Sequence, residues 1–188
     1  MISSEEGIKL LQLAKDSVKS VFEHREVRID EYCRKKFCDN QGCFVTLYMN
    51  GELRGCIGFP EPVMPLYKAI AQASQAAAFE DPRFPQLSEE EFKDCRFEVS
   101  VLTKPKQIIV KKPEEYLTKV RIGQDGLIIR GSYGSGLLLP QVAEEYKWQP
   151  KEFLEHTCIK AGLSKDAWKD MNNKLYSFQA EIFSEQKK

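Results

Sequence analysis

Apolar positions near the start of the chain recur at helical spacing: Ile8, Leu11, Ala14, Val18 and Val21. Ser3 with Glu6 supplies the capping box that opens such a helix, predicted over about residues 4–22. The charged stretch 24–36 then predicts a loop with a short turn of helix. Next, CFVTLYM (43–49) has the β-branched and aromatic content of a strand. Asn50-Gly51 is the strongest short hairpin signal, so LRGCIGF (53–59) is predicted as the returning strand.

Three prolines, Pro60, Pro62 and Pro65, end that hairpin and lead into the alanine-rich helix LYKAIAQASQAAAF (66–79). EDPRFPQ (80–86) stops it. Ser88 with Glu91 forms a second capping box, with Leu87 and Phe92 at the staple positions. Phe97, Val99 and Val101 alternate with Arg96, Glu98 and Ser100, the pattern of a half-buried strand. QIIVK (107–111) predicts another strand, with Pro113 starting a short helix after it. Two apolar segments, 120–130 and 136–140, flank RGSYGSG. Helices are predicted over 140–146 and 151–161, the second stopped by Gly162. Ser164 caps a last short helix holding Trp168. In KLYSFQAEIF (174–183) every second residue is apolar, which predicts one closing strand. Hairpins dominate and strands do not alternate with helices. The fold class is therefore α+β with a mostly antiparallel sheet, not a doubly wound one.

With 188 residues the chain is long enough to bury a core without disulfide or metal. Its 28 basic and 28 acidic side chains balance, which argues against a general nucleic-acid binder. No apolar run approaches the ~20 residues of a membrane span. MISSEEGIKL is polar and acidic, without the pattern of a leader, so a cytoplasmic protein with reduced thiols is expected. Cys33, Cys38 and Cys43 are spaced unlike zinc knuckles and read as small hydrophobes; no metal ligand is assigned.

The densest candidate chemistry is LRGCIG. Strict alternation puts Arg54, Cys56 and Gly58 on one face and Leu53, Gly55 and Ile57 on the other. A guanidinium beside a thiol favours the reactive thiolate. Gly58 would leave space beside the sulfur, and Gly55 would let another element press on the strand from behind. The competing reading is a small cysteine in tight strand–helix packing. AFEDPRFP (78–85) gathers Glu80, Asp81 and Arg83 on a proline-stiffened loop, as cleft-edge charges or as a self-paired turn. The chain has two histidines, His24 and His156; His156 and Cys158 are two apart on a helix and form no local dyad. RGSYGSG has strand-like segments on both sides and reads as a turn, not a phosphate loop.

Taken together, Leu53–Gly58, Ala77–Pro85, Glu98–Leu102, Gly126–Ile129, Leu139–Ala143, Cys158 with Lys160–Leu163, and Trp168 resemble, in order, the blocks of the AMME syndrome candidate-gene-one protein family. The resemblance covers about residues 5–184, and the compact length is similar to its archaeal and bacterial branch. It implies an α+β fold of two lobes on mostly antiparallel sheets, with the hexapeptide near a cleft between lobes. It also implies a pathway shared with a Memo-type dioxygenase-like protein and a radical-SAM protein. No reaction or cofactor follows from it. Two readings stay open. One is an enzyme or enzyme subunit with Cys56 and Arg54 as catalytic candidates and Gly55, Gly58, Glu80, Asp81 and Arg83 as ligand-binding candidates. The other is a non-catalytic module binding an anionic ligand or a partner protein through the same cleft.

Overall fold

The computed structural model describes residues 2–185. The chain forms two units: one runs to Leu102 and resumes at Glu181, the other is Thr103–Ala180. No helix among the described residues is long and apolar enough to cross a membrane.

The first unit holds α1 (Ser4–Phe22), α2 (Glu31–Lys36), β1 (Cys43–Met49), β2 (Glu52–Phe59), α3 (Leu66–Phe79), α4 (Glu89–Asp94) and β3 (Arg96–Leu102). The Ser3/Glu6 box caps α1 as its sequence demands, and the Ser88/Glu91 box caps α4. β1 pairs antiparallel with β2 and β3, and the last strand of the chain, β8 (Ala180–Ser184), lies beyond β3. β2 is therefore an edge strand. The core is built from α1 and α3 against one face of the sheet: Leu10, Ala14, Val18, Ala69, Ile70, Ala73 and Ala77 meet Val45, Leu47, Phe97 and Val99. Alanines on α3 carry no bulk, so its backbone comes close to β2. A Cβ at Gly55 would stand 2.1 Å from the Ala77 carbonyl oxygen. Gly55 is thus required by the approach of the helix, as its place in the strand predicts.

The second unit holds β4 (Lys106–Gln107), α5 (Tyr116–Lys119), β5 (Gly126–Gly131), β6 (Gly134–Leu138), α6 (Pro140–Glu145), α7 (Pro150–Lys160) and β7 (Lys174–Phe178), with sheet order β4-β7-β5-β6. Its core joins Leu127, Ile129 and Leu175 to Phe153, Leu154, Cys158 and Trp168. Gly162, at φ +71°, closes α7.

Three expectations about strands change. QIIVK is not a strand beyond Gln107; the Ile108 N–H still bonds the Leu175 carbonyl at 2.8 Å, but Ile109 beyond it is exposed. The 120–130 segment pairs only from Gly126, because Arg121 and Asp125 close a turn ahead of it. The apparent strand 174–183 is two strands, β7 and β8, in different sheets. The apolar alternation runs through the break at Gln179, whose N–H donates to the Thr103 hydroxyl at 2.9 Å.

Candidate functional site

The hairpin turn forms where expected, with Asn50 at φ 53° and Gly51 at φ 87°. Met49 pairs with Glu52 and Tyr48 with Leu53. The register then slips: Leu47 pairs with Gly55 and Thr46 with Cys56, leaving Arg54 without a counterpart on β1. This is a β-bulge, which interrupts the alternation of faces. Arg54 and Gly55 are consecutive and both buried. Arg54 therefore does not stand beside Cys56 as strict alternation required.

Arg54 is 7 % exposed, and its guanidinium engages Glu91 of α4 side-on, Nε to Oε1 at 3.2 Å and Nη2 to Oε2 at 3.0 Å. The same carboxylate accepts the Ser88 N–H at 2.9 Å, so the cap of α4 and the ion pair share one group. These hydrogen bonds, the arginine's first, hold the Glu91 carboxyl below its usual range. Phe84 lies against the cation, 5.9 Å from ring centroid to Cζ.

Cys56 is held from three sides. The Thr46 hydroxyl, directly across the strand pair, donates to Sγ at 3.3 Å. The outward N–H of Cys56 donates to Asp81 Oδ2 at 2.9 Å, and its carbonyl accepts from Arg83 Nη2 at 3.2 Å. Asp81 and Arg83 together satisfy the backbone of this residue on the free edge of β2, where a further strand would otherwise do so. They are also tied to each other, Nε to Oδ1 at 3.0 Å and Nη2 to Oδ2 at 2.7 Å. Asp81 is buried, while Arg83 is half-exposed. The local sequence explains the shape: Asp81 accepts the Arg83 N–H at 3.1 Å across Pro82, folding a tight turn directly after α3. Glu80 takes no part; it is exposed, and its N–H closes α3 on Ala76.

Asp81 is held well below the usual carboxylate range, first by the Arg83 guanidinium and then by the Cys56 amide, against the opposing effect of burial. A depressed carboxyl stabilises the fold fully above its unfolded value of ~3.9 and loses that contribution as pH falls toward its folded value. Asp81→Asn should cost about 2 kcal/mol at neutral pH. The gap from the native protein should narrow below about pH 4. Thermal midpoints measured from pH 7 to pH 2 decide this: parallel curves for the two proteins would refute it.

On the face away from the core, three strands set nine residues in rows: Gly58–Phe44–Ser100, Cys56–Thr46–Glu98 and Leu53–Tyr48–Arg96. Arg96 lies over the Tyr48 ring at 4.8 Å, and Ser184 donates to Glu98 at 2.5 Å. Burial, with the Glu98 and Cys56 charges, raises the Tyr48 phenol. The space expected at Gly58 is taken: a Cβ there would be 2.5 Å from the Phe44 ring. Thr46, Glu91 and Phe84 are the partners that sequence reasoning missed. A two-residue turn at 50–51 would pair Thr46 with Gly55; only the bulge brings it opposite Cys56.

The other motifs serve packing. In RGSYGSG, Gly134 and Gly136 let Ala161 at the end of α7 come within 2.1 Å and 2.5 Å of their absent side chains. His156 stacks on Trp148 at 4.0 Å, and His24 sits in the turn after α1. Among the described residues, no group of three or more His, Cys, Asp or Glu is arranged to hold a metal ion.

The chain is similar along nearly its whole length to proteins of archaea and bacteria. A protein of Methanocaldococcus jannaschii is 45% identical over 98% of this chain and 92% of its own. One of Aquifex aeolicus is 46% identical over 94% and 91%. The crystal structure of an uncharacterised protein from Pyrococcus horikoshii superposes with a TM-score of 0.86 at 42% identity, covering 98% of this chain and 94% of that one. The AMMECR1 family model matches residues 11–183, so the chain belongs to the AMMECR1 family.

Proposed function

We propose that the chain is an enzyme, or a subunit of one, whose working group is the Cys56 thiol. One observation carries this reading: Cys56 alone among the six cysteines is both reachable and immobilised. Burial pushes the thiols of Cys33, Cys95 and Cys158 up to about 11 and that of Cys43 up to about 12. Cys38 is exposed and has none of the anchoring that Cys56 has. Holding a nucleophile's backbone at N–H and carbonyl, with a hydroxyl on its sulfur, fixes the direction of attack before substrate arrives. In this reading Asp81, Arg83 and Thr46 are positioning residues. Arg54 holds α4 to the strand. A pathway shared with Memo-type and radical-SAM proteins belongs to the same proposal and rests on the resemblance.

Native protein treated with a chromogenic disulfide at pH 8 should show two fast thiols, Cys38 and Cys56, with four more appearing only on unfolding. Cys56→Ser should lower the fast count to one. Electrophilic probes should then be trapped on Cys56 and located by mass spectrometry, with Cys56→Ser as the blank. If Cys38 is the only native thiol to react, the reading fails. A non-catalytic module would instead retain every ligand in the Cys56→Ser protein.

A further inference from the structure

Arg54 and Arg83 share an arrangement that the thiol does not require. Each guanidinium offers its Nε–Nη2 edge to a carboxylate, Arg54 to Glu91 and Arg83 to Asp81. A planar guanidinium engaged on that edge points its remaining amino group, Nη1, away from the acid. In neither residue does Nη1 have a hydrogen-bond partner among the described residues; in Arg54 that atom is also buried. Both cations lie on one ring, Phe84, at 5.9 Å and 5.4 Å. Buried donors in native proteins are almost always satisfied, and one that is not calls for a partner. Two cations, each bound to its own acid and each with one amino group that the acid does not use, thus share one aromatic side chain. Arg83 is half-exposed, and Arg54 is buried.

We propose that Arg54, Arg83 and Phe84 form an oxyanion site, taking a carboxylate or phosphate group by hydrogen bonds from the two Nη1 amino groups. Since Arg83 also donates to the Cys56 carbonyl, a ligand held there is adjacent to the thiol. That it is the substrate of that thiol rests on the preceding reading; the anion site does not.

The test is the thermal midpoint of the whole chain in inorganic phosphate, in acetate and in chloride, at one fixed ionic strength so that screening is constant. An anion that binds only the folded chain raises the midpoint by mass action. Phosphate or acetate, or both, should raise it above chloride, and the arm that does so identifies the group. Arg83→Gln should weaken the apparent affinity at least about tenfold, the factor carried by one charge-assisted hydrogen bond. No rise with either anion, or the same rise in Arg83→Gln, overturns the proposal.

A second measurement needs no variant. Iodoacetate and iodoacetamide each form a carbon–sulfur bond, release iodide with its electron pair and leave the thiol proton to buffer. Only iodoacetate carries a carboxylate. Its rate relative to iodoacetamide should be at least about tenfold higher at Cys56 than at Cys38 in the same molecule. Equal ratios at the two thiols count against the site. A Cys56 inert to both reagents defeats the thiol reading alone, and the phosphate result still decides the anion site.

Discussion

Gly55→Ala is expected to destabilise the protein by about 3 kcal/mol, at the upper end of what overpacking costs. The added methyl would lie 2.1 Å from a backbone oxygen of α3, not from a side chain that could turn away. Either the helix backs off the sheet or the strand twists, and both disturb Cys56, the next residue. Gly51→Ala is the control. Nothing lies within 4 Å of its added methyl, so the loss there comes from its φ of +87° alone and should be about 1 kcal/mol. Urea unfolding followed by circular dichroism measures both. A Gly55→Ala protein as stable as Gly51→Ala would mean that the approach of α3 is soft.

Glu91→Ala should be at least as costly, about 3–5 kcal/mol, because it strands the charge of Arg54, a residue only 7 % exposed. Glu91 is less enclosed than Arg54, at 31% side-chain exposure, which places the loss toward the lower end. Ser88→Ala removes the cap but leaves the ion pair and should cost only about 1 kcal/mol. Replacing both partners, Arg54→Met with Glu91→Leu, should recover most of what Glu91→Ala loses, since no buried charge is then unpaired. Failure of the double variant to recover would place the cost in α4, not in the charge.

Much of the architecture was legible because its signals are local. The capping boxes at Ser3 and Ser88, the Asn50-Gly51 turn and the alternation in Phe97–Val101 each act within a few residues, and each formed. Gly55 was also legible, since a glycine in a strand followed by an alanine-rich helix marks a close approach of two backbones. The arrangement around Cys56 was not. A bulge has no fixed sequence signature, and one extra residue, Arg54, reverses the face assignments on one side of it. Asp81 and Arg83 were visible as a cluster, but the edge they serve follows from strand order, which is a long-range property. Alternation also ran unbroken from Lys174 to Phe183, because periodicity records which side of a strand is buried and not the sheet to which it belongs.

The return of the chain to its first unit has a consequence during synthesis. β3 needs β8 as its outer neighbour, and the Phe97 N–H and carbonyl both bond to Glu185, at 2.9 Å and 3.1 Å. All of Thr103–Ala180 is translated before that neighbour exists. At ordinary elongation rates the edge of β3 stays open on the ribosome for on the order of ten seconds. The later-made unit, continuous in sequence, has every strand of its own sheet by Phe178 and is free to finish first. The nascent chain is most exposed to strand-pairing errors at β3 during that interval, so a chaperone acting on it has most to protect there.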